Sequence, residues 1–214
     1  MNAFELLRGN SLLWIRANLL GGPSPEHLPW LDRPEGFRSA DEVAHRLYWR
    51  VSMQALYDGA PREAIVRYLE SVGLTEHGAD SEQEALARDA HSEAQRNQLS
   101  WSQESVVALA WAGGLVPELP TLTAEADLTT LLDGMPPRVA YADYLSRCRP
   151  VDISRVMQAL DVYYRVHWMC LHTTGPLRSA EGAEVLIAAV QERRRALEWF
   201  LYPPVLWDEV PMDT

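Results

Sequence analysis

Between Asp161 and Trp168 the chain reads D-V-Y-Y-R-V-H-W, which sets a carboxylate, a guanidinium and an imidazole within two helical turns. The apolar row Ile153, Val156, Leu160, Tyr164, His167, Leu171 follows helical spacing and puts His167 on the buried stripe. The adjoining row carries Asp161 and Arg165, four residues apart and able to pair, and then Trp168. A second stripe, Leu186, Val190, Arg193, Leu197, Leu201, contains an arginine where an apolar residue belongs. An unpaired guanidinium buried there would be strongly unfavourable, so Arg193 requires a carboxylate. Glu104 is the first candidate, because it shares a face with Val107 and Trp111 and itself needs a cation; Asp161 and the tail residue Asp208 follow. Two chemistries fit. One is a set of buried ion pairs that fixes how helices register. The other is a polar pocket where Glu104, Asp161, Arg165, His167 and Arg193 converge on a small molecule.

Other chemistries find little support. His167 and Cys170 share a helix face, but His172 points about 140° away from His167, and neither an H-E-x-x-H nor a C-x-x-C motif occurs. We therefore expect no metal and no cofactor. Cys148 lies between Arg147 and Arg149, whose charges would lower a thiol pKa. No phosphate-cradling glycine loop and no G-x-S-x-G turn is present. Gly113-Gly114 follows a helical pattern and reads as a helix terminus.

The elements that must position these groups are helical almost throughout. Periodicity predicts helices over about residues 3–20, 39–57, 61–72, 81–98, 100–114, 124–133, 152–172 and 181–201. Ser39 and Glu42 have capping-box spacing, and Ser81 with Glu84 repeats it. Pro61 suits a first helical turn and Gly73 a C-terminal cap. The segment 81–98 is charged and poor in large apolar residues, which predicts a surface helix. In contrast, 100–114 is apolar on nearly every side and should be central. Prolines crowd the connections at 23–34, 117–120 and 136–137, and the tail from Pro203 is short and acidic. The expectation is one all-α domain over 1–214, an irregular multi-helix bundle of about seven or eight helices with proline-rich connections.

Composition restricts the partners. The chain has 214 residues and a formal charge of −11, and all 19 basic residues are arginine. Such a balance opposes nucleic-acid binding, which needs a basic face, and favours a basic protein partner through electrostatic steering. Two cysteines do not make a secreted disulfide framework. No apolar run has the length to span a bilayer, and Arg16 interrupts the apolar stretch of the first helix, so no signal peptide or membrane association is expected. We expect a cytoplasmic location, and the lysine-free, Ala-, Arg- and Leu-rich composition suggests a bacterial source.

Several stretches together resemble a known family. Arg38-Ser39-x-x-Glu42-x-x-x-Arg46 resembles its early helix start, and Trp101-x-x-Glu104 leading to Trp111 its central helix. Asp161 to Trp168 is similar to its D-x-x-Y-R-x-H-W motif. Glu192 to Trp199 and the ending Trp207-Asp208-Glu209-Val210 through Asp213-Thr214 complete the set, with Glu198 and Glu209 as mild departures where asparagine and aspartate are the expected residues. The chain thus resembles the bacterial domain of unknown function 4272, over a core of residues 37–214. The resemblance implies a helical fold and no particular activity. Two functions follow as expectations. The first is a non-enzymatic protein-binding module, such as an immunity protein that neutralises a basic toxin. The alternative is a small-molecule enzyme or sensor built on the Asp/Arg/His groups.

Overall fold

The Ser39 hydroxyl accepts the Glu42 backbone N–H, and the Glu42 carboxylate accepts the Ser39 N–H. This reciprocal cap satisfies two of the free donors at a helix start. In the computed structural model, which describes residues 3–135 and 138–213, it opens helix α2 (Ala40–Tyr57). The expected breakers Pro136 and Pro137, and the motif residue Thr214, lie outside the described residues. The other helices are α1 (Ala3–Asn18), α3 (Arg62–Ser71), α4 (Asp80–Ala87), α5 (Glu93–Ser100), α6 (Ser102–Ala112), α7 (Thr129–Asp133), α8 (Tyr141–Arg147), α9 (Ile153–His172) and α10 (Ile187–Leu201). Among the described residues the fold is all-α, apart from a two-residue antiparallel pairing of β1 (Leu19–Leu20) with β2 (Arg178–Ser179) and an isolated bridge between Arg178 and Glu184.

Five long helices pack in the order α1, α9, α10, α6, α2, and α3, α4, α5 and α8 lie against α2. Helix α6 sits between α2 and α10 and buries Ser102 and every residue from Glu104 to Ala112, as its all-round apolar pattern demands. Around it close Leu47, Met53, Leu160, Leu197 and Phe200, all wholly enclosed.

Several boundaries differ from the sequence expectation. The charged segment 81–98 is two helices, because Ser92 and Gln95 form their own capping box and Arg88 is extended. The first of these is not capped by Ser81 with Glu84; instead the Glu82 carboxylate reaches back to the Ala79 N–H. Pro61 precedes α3 as its cap residue. Helix α8 was not expected, and α10 begins only at Ile187, after a turn in which Ser179 N–H bonds Ala183 O and Gly182 takes a left-handed conformation (φ +88°).

Candidate functional site

Glu104 on α6 and Arg193 on α10 meet in the centre of the bundle with no solvent exposure on either side chain. Arg193 Nε and Nη2 donate to Glu104 Oε2 at 2.8 and 2.6 Å. Nη1 donates to the carbonyls of Pro120 (3.0 Å) and Thr121 (2.8 Å), and Nη2 also reaches Ala124 O (2.7 Å). All five guanidinium N–H groups are thereby used. The second carboxylate oxygen, Oε1, accepts the Ala126 N–H at 2.8 Å. The pair therefore does more than register two helices. It also holds the irregular segment 120–126 against them.

The same construction recurs. Arg165 grips Asp161 through Nε and Nη2 at 2.9 and 3.0 Å, and turns Nη1 to Pro25 O at 2.8 Å and Nη2 to Pro29 O at 3.4 Å. Arg194 donates to His167 Nδ1 at 2.8 Å, to Glu198 at 3.3 Å, and to the tail carbonyls of Pro211 and Asp213. Arg38 pairs with Glu42, lies 4.4 Å from the Trp199 ring, and donates to Val205 O at 2.6 Å. A proline-containing segment has few N–H groups with which to close its own turns, yet its carbonyls still need donors once buried. A guanidinium supplies five, anchored by a carboxylate or a helix.

A further buried network escaped the sequence reading. Arg46 and Arg50, one turn apart on α2, both pair with Glu82, which is only 2 % exposed although its helix looks like a surface element. Arg50 goes on to Ser105 (2.8 Å), Ser102 (3.0 Å) and Glu192 (3.4 Å), and Glu192 also takes Arg195. Trp207 covers this network, its ring 5.2 Å from the Arg46 guanidinium and 5.0 Å from that of Arg50. The available signal was the like-charged Arg46–Arg50 pair on a helix whose neighbouring positions are core, an arrangement that calls for a shared acid.

The candidate residues are therefore divided among separate contacts. Glu104 joins Arg193, and Asp161 joins Arg165, whereas His167 meets Arg194, which the sequence reading had not singled out. Asp208 does not reach Arg193. It lies exposed and accepts from the backbone N–H and hydroxyl of Ser81, where it caps α4 from the distant tail. Of the remaining motif residues, Trp199 stacks edge to face on Trp207, and Trp168 lies between His27 and His172. Trp101 ends α5 just before α6.

Protonation follows burial. The His167 imidazole is pushed down to about 4 by burial, with the Arg194 charge adding to the effect. It is neutral near pH 7, and Nδ1 accepts because arginine can only donate. Cys148 goes opposite to the sequence expectation: burial pushes its thiol up to about 11, outweighing Arg147 and Arg149. Cys170 is likewise raised to about 11 by burial. Among the described residues no group of three His, Cys, Asp or Glu side chains is placed to hold a metal ion.

Outside the core lies an open groove of about 830 Å³ between α1 and α9, closed at one side by Trp111 and by segment 119–122. Leu7, Trp14, Met157 and Val162 line it, together with the polar Asn10 and Gln158. Two of its wall residues, Pro120 and Thr121, are those whose carbonyls Arg193 holds.

The family model for DUF4272, a domain of unknown function, matches residues 16–210. The chain belongs to the DUF4272 family. No curated protein and no solved structure matches it. In this DUF4272 chain the match begins upstream of the first motif noted in the sequence, in the last turn of α1. The motif residues of the family fall on the networks above: Arg38, Glu42 and Arg46, then Glu104, then Asp161, Arg165 and His167, then Glu192 and Arg193, and finally Trp199, Trp207 and Asp208.

Proposed function

We propose that this DUF4272 protein acts by binding rather than by catalysis, and that its partner is a basic protein. The observation that carries the reading is how charge is partitioned. Five arginines (46, 50, 165, 193 and 194) are buried, against four carboxylates (Glu82, Glu104, Asp161 and Glu192). The outer part of the molecule is left with 14 arginines and 26 acidic residues, a charge of −12, slightly more negative than the chain as a whole. Withdrawing cations into the core strengthens the field that would steer a basic partner. The buried acids, bases and cations meanwhile spend their hydrogen bonds on one another and on loop carbonyls, an arrangement suited to holding a surface in shape. An immunity protein that neutralises a basic toxin in the bacterial cytoplasm is one form such a role takes. No described helix is long and apolar enough to cross a membrane.

The test is affinity isolation of the tagged chain from its native lysate at low ionic strength, followed by titration with each recovered protein. A stoichiometric basic partner whose affinity falls steeply with added salt supports the reading. Recovery of the chain alone, or of a partner indifferent to salt, overturns it.

A further inference from the structure

We infer that the α1–α9 groove is a binding site for a monocarboxylic acid carrying a single aliphatic chain. This rests on the groove and not on the surface charge, so it stands or falls separately from the protein-binding reading. The volume, about 830 Å³, lies in the range of small-molecule sites, which are mostly apolar with a few placed polar groups. Its walls are of that kind: leucines from α1 and segment 119–122, Met157 and Val162 from α9, and the rings of Trp14 and Trp111. Leu6 and Trp14 are left 46 % and 40 % exposed along it, more apolar surface than a solvated helix face needs.

Charge selects the head group. In a chain with 30 acidic residues, no carboxylate among the described residues lines this groove, and the one charged side chain among them is Arg155. Among the described residues no carboxylate pairs with Arg155; its guanidinium lies 5.9 Å from the Trp111 ring, also in the groove wall. The nearby Asp152 carboxylate accepts from the backbone N–H and hydroxyl of Ser154 and feels the Arg155 charge, but it makes no ion pair with the guanidinium. This differs from every buried arginine of the molecule, each of which is committed to an acid, a ring nitrogen or a loop carbonyl. An exposed guanidinium at an apolar groove offers a carboxylate two parallel hydrogen bonds while the aliphatic chain displaces water from the leucines. Gln158 is already committed, donating to the Ser11 hydroxyl, so Arg155 is the residue that discriminates.

The test titrates the full chain with decanoate, and with decan-1-ol as its uncharged counterpart, following tryptophan fluorescence and heat. The expected result is one saturable decanoate site. Arg155→Gln should weaken decanoate about tenfold and leave decan-1-ol unchanged. Ala159→Trp, which fills the groove, should abolish both. Arg155 is exposed, so its variant should keep the wild-type melting curve whatever the outcome with Ala159→Trp. Failure of the wild-type chain to bind decanoate overturns the proposal, as does binding that Arg155→Gln leaves unaltered. A concentration-dependent dimer dispersed by Ala159→Trp would assign the groove to a second copy of the chain and also overturn it.

Discussion

Arg193 donates twice to one oxygen of Glu104, while the other oxygen of that carboxylate accepts the Ala126 N–H. A helix pair and a loop thus share a single buried ion pair. Removing the cation leaves the buried carboxylate without its counter-ion and takes the Arg193 donors from the carbonyls of Pro120, Thr121 and Ala124. Glu104→Gln, in contrast, keeps those loop contacts and one acceptor oxygen, enough for Arg193 but not also for the Ala126 N–H. Arg193→Met is expected to cost about 4 kcal/mol in urea unfolding and Glu104→Gln distinctly less. Equal losses would show that segment 120–126 does not depend on the guanidinium. If Arg193→Met still folds, it should also loosen the groove wall, read as faster hydrogen exchange over residues 119–126.

Asp208 is expected to act as a remote helix cap. Its carboxylate accepts from Ser81 at the first turn of α4 and is exposed to solvent. Asp208→Ala should cost about 1 kcal/mol, the usual size of a lost cap, and not the larger loss that follows when a buried arginine is left unpaired. A thermal melt of the variant distinguishes the two sizes.

Stability should depend on pH through His167. Its folded pKa, about 4, lies below the unfolded value of about 6.5, so the unfolded chain binds the proton more readily. The contribution is therefore complete above about pH 6.5, is lost as pH falls towards 4, and is flat below that. The loss could reach about 3 kcal/mol. His167→Gln keeps an acceptor for Arg194 but cannot titrate. Unfolding at pH 7 and pH 5 should show a fall in the wild type that the variant lacks; the same fall in both would place the proton elsewhere.

Gly114 sits at φ +75°, and a Cβ built there would run into the Arg149 carbonyl. Neither problem can be relieved by moving a side chain. The neighbouring backbone is tied by Arg149 N–H to Gly113 O at 2.7 Å and Val151 N–H to Ala112 O at 3.0 Å. Gly114→Ala should cost about 2 kcal/mol or more, well beyond the loss for alanine at an open left-handed position such as Gly73. Paired melting curves of the two variants make the comparison.

Much of this molecule is set locally. A capping box needs only Ser39 and Glu42 three residues apart, and a buried α6 needs only apolar residues on all its faces. The 3.6-residue repeat likewise marks Arg193 and His167 as polar groups on buried stripes, and Asp161 with Arg165 as an i,i+4 pair. Those properties depend on neighbours within a turn or two and are therefore legible from residue type and spacing. Which distant group satisfies each buried charge was decided by tertiary structure alone. Glu82 belongs to a helix that reads as surface and becomes buried only because α2 brings Arg46 and Arg50 to it. His167 meets Arg194 rather than the neighbouring Arg193, since residues 100° apart on α10 face different elements. Asp208 closes on Ser81, far away in sequence, because the tail passes α4 after Trp207 docks on Arg46 and Arg50. A guanidinium binds any carboxylate or carbonyl within about 3 Å, so residue type names the class of partner. Only the folded path of the chain selects the partner itself.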